Sequence, residues 1–332
     1  MFRTKIPPKN NSMPRYLTVV IPYLREDQRG PLLEAARRNG FEVSFFLSNA
    51  EALPHLAEAE VILGSGTELI RHAPKLRWFC SMTAGVEHYL RADVVPADVL
   101  FTNSAGAFGV SIAEHVMMVT LELLRNQEGY RRIMQERQWV RNLPFRSSKG
   151  SRILILGTGD IGIEAARRFR GFEPALIRGI NRSGRCEEDC FDRIGTREDL
   201  EDWLPQTDIL VMSLPGTPYT RHYLDAGLIG LLPPQAIVIN VGRGMTIDQE
   251  ALVQALQEGR IAGAALDVFE QEPVPQDSPL WEMPGLIMTP HISGNMALPY
   301  TVKRCVELFV EDLDRYCQGQ PLLRTVDRKA GY

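Results

Sequence analysis

The sequence predicts an α/β protein made of two doubly wound parallel-sheet domains, and three observations carry that expectation. Short β-branched and aromatic runs alternate with helix-like stretches along most of the chain, the rhythm of strands covered by helices on both faces. One long amphipathic stretch near residue 111 interrupts the rhythm and divides it into two series. The 332 residues, 44% of them hydrophobic, suffice for about two cores of ordinary domain size.

In the first series, Leu17 to Tyr23 is followed by a helical stretch over Gly30 to Asn39, Phe41 to Leu47 by Ala50 to Ala59, and Val61 to Leu63 by Glu68 to Ala73. Trp78 to Ser81 and Val99 to Thr102 complete it. Residues 1–14, polar and rich in Pro and Asn, read as a flexible arm or leader. Ile112, Val116, Val119 and Leu123 recur at helical spacing, and Ser111-Ile112-Ala113-Glu114 has the form of a capping box. A long helix is therefore expected from Ser111 to Arg125. The second series runs through Ile153 to Leu156, Ala175 to Ile180, Ile209 to Leu214, Ala236 to Val241, Gly263 to Phe269 and Leu286 to Thr289. A closing amphipathic helix, Tyr300 to Tyr316, is placed to return to the first domain.

Thirty-seven basic side chains stand against 41 acidic ones, a net charge of -4, so no overall field draws nucleic acid or an anionic membrane. No apolar run approaches the roughly 20 residues of a membrane span. Pro7-Pro8-Lys9-Asn10 occupies the place of a signal-peptide core, and a soluble cytoplasmic protein is expected. Cys80, Cys186, Cys190, Cys305 and Cys317 lack zinc-site spacing; reduced thiols and no metal follow.

Gly157-Thr158-Gly159-Asp160-Ile161-Gly162 is G-x-G-x-x-G, set between the run Ile153 to Leu156 and a helical stretch through Ala165, Ala166 and Phe169. In that setting it reads as a Rossmann-type dinucleotide turn. The first glycine makes the turn, the second admits a pyrophosphate to the backbone, and the third packs helix on strand. An NAD site usually places Asp or Glu at the end of the next strand to hold the adenosine ribose. Here the chain reads Ile180-Asn181-Arg182-Ser183-Gly184-Arg185. Asn181 removes a carboxylate's repulsion, Arg182 offers a forked cation and Ser183 a hydroxyl, a set suited to a 2′-phosphate. NADP(H) is the favoured cofactor. NAD(H) stays open, because Asn tolerates a bare ribose and a solvated arginine loop is the plain alternative.

Ligands of open α/β sheets sit beyond the carboxyl ends of strands. Three such ends carry a reactive side chain: Arg243 within Gly242-Arg243-Gly244, Glu272 after the run Gly263 to Phe269, and His291 after Thr289-Pro290. Reduction of a 2-oxo acid needs a hydride at C2, a proton for the carbonyl oxygen and a clamp for the carboxylate. His291 suits proton donation, with Glu272 as its carboxylate neighbour. The planar fork of Arg243 can clamp the carboxylate and polarise the carbonyl. His55, His72, His88, His115 and His222 lack such a setting and read as surface or packing residues.

The Gly157 turn, Ile239-Asn240-Val241-Gly242-Arg243-Gly244, Leu266-Asp267-Val268-Phe269-Glu270-Gln271-Glu272-Pro273 and Thr289-Pro290-His291 together resemble the motifs of the D-isomer-specific 2-hydroxyacid dehydrogenases, over nearly the whole chain from about Tyr16. Upstream, Ala84-Gly85-Val86-Glu87-His88 looks like that family's substrate-carboxylate loop, and Thr102-Asn103 with Ile112-Ala113-Glu114-His115 like its interdomain crossover. The resemblance implies a Rossmann-type cofactor domain, 111–292, inserted in a flavodoxin-like substrate domain, 15–110 with 293–332, and a homodimer. It implies reversible hydride transfer from NAD(P)H to C2 of a small 2-oxo acid, giving the D-2-hydroxy acid, with Arg243, Glu272 and His291 as the catalytic set. By the same match Leu214, Pro215, Val241 and Gly242 border the cofactor, and Asp267 lies near the nicotinamide carboxamide. The backbone of Ala84, Gly85 and Val86 receives the substrate carboxylate, beside Arg243 and His291. Three departures stand out: Asn181 for the usual Asp, Glu87 for the commoner Asp, and no Trp after His291. The last speaks against glyoxylate or hydroxypyruvate as substrate, and Glu272, where formate dehydrogenases carry Gln, speaks against formate. A reading from another class is a corepressor-like protein that senses dinucleotides and binds partners; turnover of an oxo-acid panel separates the two.

Overall fold

Every strand pairs in parallel in the sheets of the computed structural model, which describes residues 14–91 and 94–331. The arm expected over residues 1–14 lies, all but Pro14, outside the described residues. Five strands, β1 (Arg15–Val20), β2 (Phe41–Phe46), β3 (Ala59–Gly64), β4 (Trp78–Ser81) and β5 (Leu100–Thr102), form one sheet in the order β2-β1-β3-β4-β5. Seven more, β6 (Arg152–Leu156), β7 (Leu176–Ile180), β8 (Arg193–Gly195), β9 (Ile209–Met212), β10 (Ile237–Asn240), β11 (Gly263–Leu266) and β12 (Leu286–Met288), form the other in the order β12-β11-β10-β9-β6-β7-β8. The first is the flavodoxin-like order and the second the Rossmann order with one strand added. The helices of nine residues or more are α1 (Glu26–Arg38), α2 (Gly109–Leu124), α3 (Gln127–Gln135), α4 (Asp160–Arg170), α5 (Gln249–Gln257) and α6 (Pro299–Cys317). No helix among the described residues is long and apolar enough to cross a membrane.

The described residues divide into a unit that ends at Phe108 and resumes at Asn295, and a unit running from Gly109 to Gly294. In the first, α6 packs beside α1: Gln28 Nε2 donates to the Pro299 carbonyl at 2.9 Å, and Arg38 and Asn39 both bond Asp314. Val302, Val306, Phe309 and Leu313 are buried along α6, and Phe309 stacks on Trp78 of β4 with ring centroids 5.0 Å apart. In the second, Ile153, Leu154, Ile155 and Leu156 of β6 are all buried, as expected of a central parallel strand covered on both faces.

Three local expectations differ from the structure. The capping box at Ser111 does not start a helix: α2 begins at Gly109, and Ser111 is buried inside it. The Asp160 carboxylate, 51 positions away, accepts from Gly109 N at 2.7 Å and supplies an N-terminal acceptor that the local pattern assigned to Ser111. The strand β8 was not anticipated, because three residues containing Arg and Gly carry no periodic signal. Leu214, Val241 and Phe269, expected as strand residues, lie beyond the ends of β9, β10 and β11, in the rim loops.

Candidate active site

The switch point of the seven-stranded sheet lies between β6 and β9, where strand order reverses. There β6 ends at Leu156 and the chain turns through Gly157 at φ 99°, a conformation that favours glycine. Ser213, just after β9, donates from Oγ to the Gly157 carbonyl at 3.0 Å. A Cβ on Gly162, in the first turn of α4, would lie 2.0 Å from the Gly157 carbonyl oxygen, so only glycine lets helix and strand approach this closely. Around Gly159 a Cβ would meet nothing within 4 Å. That open space, over first-turn N–H groups at Asp160, Ile161 and Gly162, fits a dinucleotide pyrophosphate. The Asp160 carboxylate itself is turned to Gly109, so the part it can offer phosphate is its backbone N–H.

Asn181, at the end of β7, organises the adjoining loop with both halves of its amide. Oδ1 accepts from Ser183 N at 3.0 Å, Ser183 Oγ at 3.1 Å and Gly184 N at 2.7 Å, while Nδ2 donates to Thr158 Oγ1 at 2.6 Å and the Arg185 carbonyl at 2.7 Å. A carboxylate could accept from the Thr158 hydroxyl but could not bond the Arg185 carbonyl. Asn181 therefore ties the glycine turn to the loop, a role that residue type alone did not reveal. Arg182 is exposed, and its side chain meets no partner among the described residues. The same holds for Arg185, which the sequence reading passed over.

Strands β10, β11 and β12 are sheet neighbours, so the segments bearing Arg243, Glu272 and His291 leave adjacent strand ends. Glu272 and His291 are brought together, with His291 Nδ1 2.8 Å from Glu272 Oε2. The other carboxylate oxygen accepts from Phe269 N at 2.9 Å. Because an ionised carboxylate only accepts, the bridging proton is on Nδ1; Nε2 has no partner among the described residues. Arg243 is half-buried, its Nη1 donating to the Gly242 carbonyl at 2.8 Å and its own carbonyl held by Thr246 Oγ1 at 2.6 Å. Leu214 and Val241 are buried at the rim, and the Pro215 carbonyl accepts from Thr220 Oγ1 at 2.6 Å.

His291 stands at φ 55°, an uncommon region for a side-chain-bearing residue, and its loop is bonded to Asp267. That carboxylate is 1% exposed. Oδ1 accepts from Thr289 Oγ1 at 2.6 Å and Ile292 N at 2.9 Å, Oδ2 accepts from Ser293 N at 2.9 Å, and the Asp267 carbonyl accepts from His291 N at 2.9 Å. Sequence reasoning missed this role. It also missed the pairing of His222 Nε2 with Glu270 Oε1 at 2.8 Å.

In the first unit, the segment Ala84 to Val86 follows β4. Asn103 Nδ2 donates to the Ala84 carbonyl at 2.8 Å and Thr83 Oγ1 to the Gly85 carbonyl at 2.9 Å. The N–H groups of Ala84, Gly85 and Val86 are bonded to no other described residue. Among the described residues no group of three or more His, Cys, Asp or Glu side chains is arranged to hold a metal.

Residues 117–293 match the family model described as "D-isomer specific 2-hydroxyacid dehydrogenase, NAD binding domain". A glyoxylate/hydroxypyruvate reductase B of Pectobacterium atrosepticum is 31% identical over 80% of this chain and 85% of its own length. Among solved structures, a D-isomer specific 2-hydroxyacid dehydrogenase family protein of Aeromonas salmonicida superposes with a TM-score of 0.82 at 35% identity, covering 95% of this chain and all of that one. An NADPH-dependent glyoxylate/hydroxypyruvate reductase of Sinorhizobium meliloti, in complex with NADP and sulfate, does so with a TM-score of 0.78 at 29% identity, over 96% of this chain and all of that one.

Proposed function

This chain belongs to the D-isomer specific 2-hydroxyacid dehydrogenase family, and from that premise we propose that it reduces a small 2-oxo acid with NADPH, giving the D-2-hydroxy acid. The observation that carries the reading is the Glu272–His291 pair, with Nε2 left for a ligand, in the same unit as the Gly157 turn. When bound, the reduced nicotinamide supplies the hydride to C2. His291 Nε2 gives its proton to the carbonyl oxygen, and the bond from Nδ1 to Glu272 fixes the ring and balances the charge of its protonated form. Arg243 is assigned the substrate carboxylate. Solvent then returns a proton to His291.

Arg182, Arg185 and Ser183 are assigned the 2′-phosphate of the cofactor, which supports NADPH over NADH. The relatives' names make glyoxylate and hydroxypyruvate the first substrates to try, although the missing Trp after His291 argues the other way. We also infer a homodimer, supported by the exposed apolar side chains Met134, Trp139 and Phe145 on and after α3.

The test is turnover of a 2-oxo acid panel with NADPH and NADH in parallel, with the chirality of glycerate from hydroxypyruvate determined. Oxidation of NADPH and the D-product are expected. Cofactor binding without turnover across the panel would remove the reductase reading and favour a dinucleotide sensor.

A further inference from the structure

We propose that His115 is a positioning residue for this site, holding through the Thr289 hydroxyl the Asp267 carboxylate on which the His291 loop is folded. The inference rests on the reading of His291 as proton donor. Asp267 is buried, and it forms no ion pair with a Lys or Arg among the described residues. Its charge is met by neutral donors from the loop, Thr289 Oγ1, Ile292 N and Ser293 N. The register of His291 against Glu272 thus depends on how firmly that carboxylate is held.

Thr289 has a single hydroxyl proton. At 2.6 Å from a carboxylate oxygen that can only accept, the proton points to Asp267. The Thr289 oxygen is then an acceptor toward His115 Nε2, 3.3 Å away, so Nε2 must carry hydrogen. The chain runs one way: His115 Nε2–H to Thr289 Oγ1–H to Asp267. His115 belongs to α2, so the chain fastens a loop at the end of β11 and β12 to a helix 174 positions earlier in sequence. The charged groups facing His115 are Asp267, just after β11, and Glu122 from α2 itself. Burial outweighs both and holds the His115 pKa below its ordinary value, which keeps the ring neutral with a single N–H to direct.

Loss of this donor leaves Thr289 able to rotate away from Asp267, and the loop to shift without unfolding. Such a shift penalises proton transfer more than binding. His115→Ala is expected to lower kcat about 10-fold with KM and the NADPH Kd within about 2-fold. His115→Gln, whose amide can also donate to Thr289, should return kcat to within about 3-fold of the unmodified enzyme. Combined with Thr289→Val, His115→Ala should add little, as residues on one chain do. Two readouts are independent of turnover. The 15N spectrum of the His115 imidazole should show the Nε2–H tautomer, and the amide resonances of Ile292 and Ser293 should move in His115→Ala and return in His115→Gln. An Nδ1–H tautomer, unmoved amides, or a Gln variant no better than Ala overturns the proposal. Absence of turnover in the unmodified protein instead strikes the reductase reading, while the tautomer and amide shifts still decide the chain.

Discussion

His291 is reached by Glu272 on one ring nitrogen only, and this asymmetry sets what each substitution should do. His291→Ala removes the proposed proton donor and should lower kcat by about 10²-fold or more. Glu272→Gln keeps an acceptor for Phe269 N but removes the charge opposite Nδ1 and should lower kcat by about 10-fold or more with KM nearly unchanged; an unchanged kcat would count against the pairing. In the proposed 2′-phosphate site, Arg182 and Arg185 are cations without partners among the described residues. A charge-assisted contact contributes about 1.5 to 3 kcal/mol, so kcat/KM with NADPH should exceed that with NADH by roughly 10- to 100-fold. Arg182→Ala should remove most of that preference and leave NADH kinetics nearly unchanged. Equal use of both cofactors by the unmodified enzyme would show these arginines to be solvated side chains. Arg182 was legible from its place after a strand; Asn181's bond to Thr158 was not, because the amide's partners come from a different turn.

At the scale of elements, α2 and α4 share one device. Asp160 sits in the first turn of α4, and its carboxylate accepts from the first N–H of α2. A Cβ on Gly109 would lie 2.6 Å from that carboxylate, so the glycine is what lets the two helix starts meet. Asp160→Ala should cost about 1 kcal/mol, the usual worth of an N-terminal acceptor, and lower Tm by roughly 2–4 °C. NADPH affinity should not fall, since the carboxylate is engaged by Gly109 N; calorimetric unfolding and a binding isotherm read the two effects apart. A weaker NADPH complex in the variant would mean that Asp160 orders the glycine turn rather than α2. The helix itself was legible from its period, whereas its start was misread because a carboxylate from another helix outcompetes a local capping box.

At the scale of the whole molecule, the terminal helix α6 is fastened to the five-stranded sheet by a polar cluster. Glu60 on β3 accepts from Arg15 Nη2 at 2.7 Å and from Tyr316 OH at 2.9 Å. Burial pushes the Glu60 carboxyl up, but the bonds from Arg15 and Tyr316 outweigh it and hold the pKa below the ordinary carboxylate value. Stability from this group is therefore fully present above the unfolded pKa and is lost as pH falls through the lower folded value. The unmodified protein should lose thermal stability as the pH drops below about 4.5, and Glu60→Gln should flatten that decline while lowering Tm at neutral pH. An identical acid limb in both would exclude Glu60 as a source of acid sensitivity. For the proposed homodimer, sedimentation should give twice the chain mass at micromolar concentration, and Trp139→Glu with Phe145→Glu should shift it toward monomer; a monomer throughout would end that proposal.

Alternation of apolar runs, the glycine turn at Gly157 and the residue types at three strand ends were determined by the sequence itself. Each depends on local geometry: the period of a strand or helix, a positive φ, or a side chain's place just after a strand. Tertiary structure alone decided which polar atoms meet. Asp160 reaches Gly109 across 51 positions, His115 reaches Thr289 across 174, and Tyr316 reaches Glu60 across 256. A buried carboxylate such as Asp267 takes whatever donors the fold sets around it, because burial removes water as the alternative partner. Residue type says only that it needs them.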